Sequence, residues 1–283
     1  MRLRRFSFIG VRGLDGLSRD LPRSRDTDLV VVFGSYGSGK TAFLDAIAAA
    51  KEAVSAYGTP DRRWDALAGA SGAAKVALDW EASDDERARL AVPDPLLSSE
   101  SILGRVPESQ SPQALRPLLA APGGNDAGSV HYFHDTRALE APLSFGADDA
   151  AIRNRLTVRN SKFADLYDVL DQPGFAAART LASTRLAELF PALEIIGLTR
   201  QGTSFFPAVR DKRTGQARFY DTLSASERQG FLFSLYTAKQ RIVDSVILLD
   251  APEIGFGGAG AADLVRALLR WTERTQIIVA TTS

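Results

Sequence analysis

Apolar and polar residues alternate loosely from Leu3 to Val11, the period-2 pattern of a half-buried strand. Gly13 and Gly16 mark a turn, and a second short strand is predicted over Leu17 to Leu21. Leu29-Val-Val-Val-Phe33 is unbroken and β-branched, and predicts a strand buried on both faces of a parallel sheet. Lys40 to Tyr57 is Ala-rich, with Phe43, Leu44, Ile47 and Val54 at helical spacing, and is stopped by Gly58 and Pro60. Ala73 to Trp80 and Arg87 to Val92 predict two strands of a hairpin turning at Asp84-Asp85. Val92 to Pro122 holds Pro93, Pro95, Pro107, Pro112, Pro117 and Pro122 and predicts a long, partly mobile excursion. A strand over Ser129 to His134 follows, then a helical region from Ala150 to Phe190 broken at Pro173-Gly174. Strands are predicted over Leu193–Leu198 and Ser204–Arg210, a helix over Ser226–Arg241, a buried strand at Val246–Leu249, a helix over Ala261–Trp271 and a last strand at Gln276–Thr281.

This order predicts an α/β fold: a mixed sheet flanked by helices. Residues 1–72 and 193–283 form the core; 73–192 form an insert of β-hairpin, Pro-rich loop and helical lobe. The 283 residues allow one large domain with such an insert. No internal repeat or heptad array is present. Lys+Arg and Asp+Glu both total 34, so net charge gives no support for nucleic-acid binding. Zero cysteines exclude disulfides, Cys-ligated zinc and thiol catalysis. The basic, then apolar start at Met1 is too short for a signal peptide, and no run reaches the roughly 18 apolar residues of a membrane span. The chain reads as cytoplasmic, without membrane contact.

Chemistry concentrates first at Gly34-Ser35-Tyr36-Gly37-Ser38-Gly39-Lys40-Thr41, which matches G-x-x-x-x-G-K-[ST] in full. It follows a predicted strand and opens a predicted helix, the context a phosphate-binding loop needs. Its glycines turn backbone N–H groups inward around phosphates, and the helix N-terminus adds partial positive charge. Lys40 would reach the β- and γ-phosphates of ATP, and the Thr41 hydroxyl would ligate Mg²⁺. The bland reading is a glycine-rich turn that binds nothing. Val246-Ile-Leu-Leu-Asp250 ends a buried strand in an acid, a Walker B pattern that puts Asp250 on the same Mg²⁺. Any buried strand can end in Asp; the phosphate-binding loop gives this one its meaning.

Leu223-Ser-Ala-Ser-Glu-Arg-Gln229, just before a predicted helix and some 20 residues ahead of Asp250, resembles the LSGGQ signature of ABC-type ATPases. Ala225 and Ser226 stand for its two glycines. The plain alternative is an N-cap, with Ser224 or Ser226 starting an ordinary helix. Val11-Arg12-Gly13-Leu14 resembles the opening of RecF-like, SMC-like and OLD-type ATPase heads. Leu248 to Gly255 resembles their LLDEPEIG stretch, and Ile277 to Ser283 their IIATHS switch strand. The resemblance covers about 1–55 and 200–283. It implies an ABC-type P-loop head in which Arg12 joins the nucleotide site. Ser224 and the helix start at Ser226 would meet the γ-phosphate held by a second head. It also implies a homodimer or hetero-oligomer closed by an ATP sandwich, an effector protein partner, further fold beyond Ser283, and work in DNA repair, chromosome maintenance or anti-phage defence.

Two departures bear on turnover. The Glu expected after Asp250 is Ala251, and the switch His falls at Thr282. The resemblance therefore implies ATP binding with slow hydrolysis, a switch by dimerisation. An alternative is an active ATPase motor with Glu253, or a partner residue, as base. A third is a non-ABC P-loop kinase. Among weaker candidates, His131 and His134 are a metal pair or core residues. Arg153, Arg155, Arg159 and Lys162 form a basic stretch, a DNA contact or a solvated helix face. Arg137 is a phosphate or partner contact.

Overall fold

In chain order the strands are β1 (Arg2–Ile9), β2 (Ser18–Asp20), β3 (Asp28–Phe33), β4 (Ala74–Glu81), β5 (Leu96–Leu103), β6 (Glu108–Gln110), β7 (Val130–Phe133), β8 (Leu193–Gln201), β9 (Ser204–Asp211), β10 (Ala217–Phe219), β11 (Val246–Asp250) and β12 (Gln276–Thr281). The helices are α1 (Lys40–Val54), α2 (Asp84–Leu90), α3 (Leu115–Leu118), α4 (Tyr167–Asp171), α5 (Ala176–Leu189), α6 (Ala225–Lys239) and α7 (Glu253–Trp271), joined in places by short 3₁₀ turns. The structure, a computed structural model, describes residues 1–22, 28–57, 62–69, 72–104, 108–120, 128–139, 161–202 and 204–282.

Parallel and antiparallel strands segregate. The unbroken apolar runs build a parallel sheet in the order β3-β12-β11-β7, with every residue of β11 and β12 buried. The alternating segments build an antiparallel sheet, β2-β1-β4-β5-β6. One apolar core lies between the two sheets around α1, whose Phe43 meets Phe6 and Phe8 edge-on. A second core covers the opposite face of the parallel sheet with α5, α6 and α7. Strands β8, β9 and β10 form a separate antiparallel sheet against α5. Isolated helices of this length are marginal in water, so packing against the sheet stabilises them.

Several expectations change. β3 is an edge strand, not one buried on both faces: Val30 and Val32 turn to the core, whereas Leu29, Val31 and Phe33 are 45%, 54% and 70% exposed. Residues 84–90 form a helix, not a strand. Ser83 accepts from the Glu86 N–H and Glu86 accepts in return from the Ser83 N–H, a capping box that starts a helix at Asp84. The hairpin partner of β4 is therefore β5. Among the described residues of the Pro-rich stretch, Leu97, Leu103, Leu115, Leu118 and Leu119 supply core side chains, which a partly mobile excursion leaves room for. The boundary expected between 72 and 73 crosses the antiparallel sheet, since β4 pairs with β1 along its length, and β7 completes the parallel sheet. Arg153, Arg155 and Arg159 lie outside the described residues, and so does the side chain of Lys162.

Candidate functional site

The register of the parallel sheet brings the candidate groups to one edge. Asp250 pairs with Ala280 and Thr281 with Phe33, so β3, β11 and β12 end together; Leu249 pairs with Phe133, which adds the exit of β7. Loops leaving the carboxyl ends of parallel strands are where such sheets bind ligands. A cleft of about 390 Å³ opens there, lined by Arg12, Gly13, Tyr36 to Ala42, Asp135, Asp250, Ala251, Glu253, Ile254 and Thr282.

The loop after β3 has the geometry its glycines allow. Gly37 and Gly39 have φ of 77° and 89°, and Gly39 caps α1 without any side-chain acceptor for the first-turn N–H groups. A side chain at Gly39 would stand 3.2 Å from Leu14, so the loop also rests against the turn that carries Arg12 and Gly13. The Lys40 ammonium donates to the carbonyls of Gly34 and Ser35 at 2.8 and 2.7 Å. The Thr41 hydroxyl donates to Asp250 Oδ2 at 2.8 Å, joining residues 209 positions apart. Burial pushes the Asp250 carboxyl up to about 6; Asp135 and Asp45 add to the rise, and the Thr41 bond and Arg137 oppose it. Uncapped helix N–H groups suit phosphate oxygens. A hydroxyl and a crowded, desolvated carboxylate suit a hard cation held through oxygen. The residues present therefore fit a nucleotide phosphate chain with Mg²⁺.

Glu253 does not stand free beside the cleft. Its Oε2 accepts from the Thr281 hydroxyl at 2.7 Å, and its Oε1 from the Thr282 hydroxyl and N–H at 2.7 and 2.8 Å. Burial would raise its carboxyl, but these bonds outweigh it and hold the group below its ordinary value. A carboxylate so held is a poor proton acceptor. Ala251 takes a left-handed conformation, φ 44°, and Ile254, Gly255 and Gly257 depart from helical geometry within α7.

Ser224 and Ser226 lie outside the cleft. Ser224 is exposed and caps α6, accepting from Glu227 N–H, while Glu227 accepts from Ser224 N–H. The plain N-cap geometry is therefore present. His131 bonds Ser129 and Tyr236 and is buried; His134 is buried against the Tyr132 ring. Both serve the core, and no metal cluster of His, Cys, Asp or Glu occurs among the described residues. Arg137 is not a surface contact: it is 3% exposed and spends its guanidinium inside. Asp45 escapes sequence reasoning and Asp135 enters it only beside the His pair, because single acids in a helix and a loop carry no pattern; the tertiary fold brings both near Asp250.

No family model and no curated protein matches the sequence. Solved structures do. The SMC head bound to the C-winged helix domain of ScpA has a TM-score of 0.60 at 13% identity, over 100% of this chain and 90% of that chain. The SMC head domain from Thermotoga maritima has a TM-score of 0.51 at 16% identity, over 100% and 90%. The SMC head domain with an extended coiled coil, bound to the C-terminal domain of ScpA derived from Pyrococcus furiosus, has a TM-score of 0.54 at 13% identity, over 99% and 89%. The chain thus has the fold of SMC head domains, the ABC-type α/β P-loop architecture. Among the described residues no helix is long and apolar enough to cross a membrane.

Proposed function

We propose that this chain is an ATP- and Mg²⁺-binding head of ABC type whose ATP-bound form pairs with a second head, and that it hydrolyses ATP slowly. The observation that carries this is the 2.8 Å contact of Thr41 with Asp250 at the mouth of a phosphate-binding loop, on an SMC-head fold. In this reading Gly34 to Gly39 cradle the phosphates, Lys40 holds the β- and γ-oxygens, and Thr41 and Asp250 hold Mg²⁺. Arg12, on the cleft wall, meets the nucleotide.

Ser224 is exposed and lines no part of its own cleft, which supports a role against a nucleotide held by another head. Two-fold symmetry would then bury two nucleotides between two heads. Slow turnover follows from Ala251, which cannot orient water, and from Glu253, whose oxygens are taken by Thr281 and Thr282. That geometry disfavours Glu253 as base. Because the similar heads are seen with ScpA domains, an effector protein is the partner we favour, and chromosome maintenance is favoured over DNA repair or anti-phage defence.

Light scattering of the whole chain tests the pairing. ATP·Mg²⁺ should double the mass, and ADP should not. Lys40→Ala should lose ATP affinity by calorimetry, and Ser224→Arg should bind ATP yet stay monomeric. A mass that ATP leaves unchanged, or a Ser224→Arg protein that pairs like the parent, overturns the sandwich.

A further inference from the structure

Arg137 joins two parts of the molecule that the cleft alone does not connect. Its Nη1 donates to the carbonyls of His134 and Asp250 at 2.6 and 2.7 Å, and its Nη2 to the carbonyl of Ala251 at 3.2 Å. Its Nε donates to Gln229 Oε1 at 2.7 Å, and Gln229 Nε2 returns a bond to the Arg137 carbonyl at 3.0 Å. Gln229 lies in the first turns of α6, the helix that Ser224 caps. A second contact runs in parallel. A side chain at Gly255, φ 93°, would stand 3.2 Å from the Ala225 carbonyl oxygen and 3.3 Å from Gln229 Cγ, so the turn after β11 touches the start of α6 directly.

Helix packing alone does not require a guanidinium here. α6 already buries Phe231, Leu232, Phe233 and Leu235 in the second core. A buried cation is costly unless fully hydrogen-bonded, and this one spends its planar fork on the carbonyls of His134, Asp250 and Ala251 and on one side chain of α6. The same guanidinium thus touches both the 250–251 peptides and Gln229.

We propose that Arg137 is a positioning residue that couples the turn at Asp250 and Ala251 to the seating of the α6 start, so that the state of the cleft sets the presentation of Ser224. This rests on reading Thr41 and Asp250 as the Mg²⁺-nucleotide site. Two-site coupling of this kind needs an element with two arrangements that both sites bias. In this proposal the Arg137–Gln229 pair is the element that both sites would bias.

Hydrogen exchange on the whole chain, at concentrations where it is monomeric, tests the coupling. In the parent, ATP·Mg²⁺ should slow exchange in the peptide spanning 224–233 by about fivefold or more, the lower end of measured site couplings. Arg137→Met and Gln229→Met should still bind ATP by calorimetry and lose that response. Gln229→Glu keeps an acceptor for the fork and should retain it. Without nucleotide, Gln229→Met should also speed exchange at 250–255. A purely structural role would slow or speed both states alike and leave the ATP response intact. The proposal is overturned if both Met variants bind ATP and keep the response, or if 250–255 in nucleotide-free Gln229→Met exchanges like the parent. If Arg137→Met does not fold, the half-buried Gln229→Met decides. If the parent binds no ATP, the nucleotide reading falls and the nucleotide-free comparison alone judges the coupling.

Discussion

Replacing Asp250 by Asn should stabilise the nucleotide-free protein while removing Mg²⁺-dependent ATP binding. Asp250 is 2% exposed, and its carboxyl is raised from the ordinary 3.8 to about 6 by burial and by Asp135 and Asp45. At roughly 1.4 kcal/mol per tenfold, holding it ionised at pH 7 costs the fold about 3 kcal/mol relative to the unfolded chain. The sign follows from the raised value. Between pH 3.8 and about 6 the folded state binds more protons than the unfolded, so stability falls as pH rises, and the full cost is present above about 6. Asn retains an oxygen for the Thr41 hydroxyl. Allowing for imperfect amide pairing, the gain should be about 1–3 kcal/mol at pH 7. Guanidinium unfolding in the presence of a chelator measures it, repeated at pH 4.5, where the advantage should shrink. Calorimetry with ATP·Mg²⁺ should show affinity lost. An Asp250→Asn protein less stable than the parent at pH 7, or an advantage independent of pH, would refute the reasoning.

Three further outcomes follow from the same geometry. Ala251→Glu places a carboxylate beside the cleft and should raise ATP turnover by roughly a hundredfold, the low end for a positioned general base, in a phosphate-release assay. Glu253→Gln leaves one acceptor oxygen for three donors, so it should lower stability by about 1 kcal/mol in chemical denaturation and leave turnover nearly unchanged; a variant with abolished turnover makes Glu253 the base after all. Burial lowers the Lys51 ammonium from 10.5 to about 7, against the opposing pull of Glu52. The unfolded chain therefore binds the extra proton across that window, and unfolding free energy should climb from pH 7 to 9.5 in the parent but not in Lys51→Met.

Short-range chemistry is legible in the sequence and long-range pairing is not. The phosphate-binding loop, the β11 acid and the α6 cap are each contained in a few consecutive residues, and the structure puts them where the patterns predict. The segment 84–90 misleads because Ala88, Leu90 and Val92 fit an alternating pattern, while the stronger signal is the Ser83–Glu86 box. The exposure of β3 has no local signature: its apolar run is as continuous as that of β11, but the second core covers Ile247 and Leu249 of β11 and none of Leu29, Val31 and Phe33. Arg137 carries the same lesson. Nothing in Asp135-Thr-Arg137 distinguishes a surface cation from a buried fork, because its partners lie 92 and 113 residues away.

The two departures from the resembled pattern, Ala251 and Thr282, act together in this structure. The hydroxyl and N–H of Thr282 bind the carboxylate of Glu253, and Thr281 takes the other oxygen, so the end of β12 is tied to the start of α7. The side chain that borders the cleft at 282 is thereby turned to an internal bond, and the side chain at 251 has no polar atom to offer. In the resembled pattern the Glu at 251 polarises the attacking water and the His at 282 touches the γ-phosphate; this sequence has neither group. The tie between β12 and α7 adds three hydrogen bonds across the turn that Arg137 also grips at the Asp250 and Ala251 carbonyls. Under the proposed function, a turn held from both sides would favour slow turnover, because rapid cycles of hydrolysis and release require such a turn to rearrange.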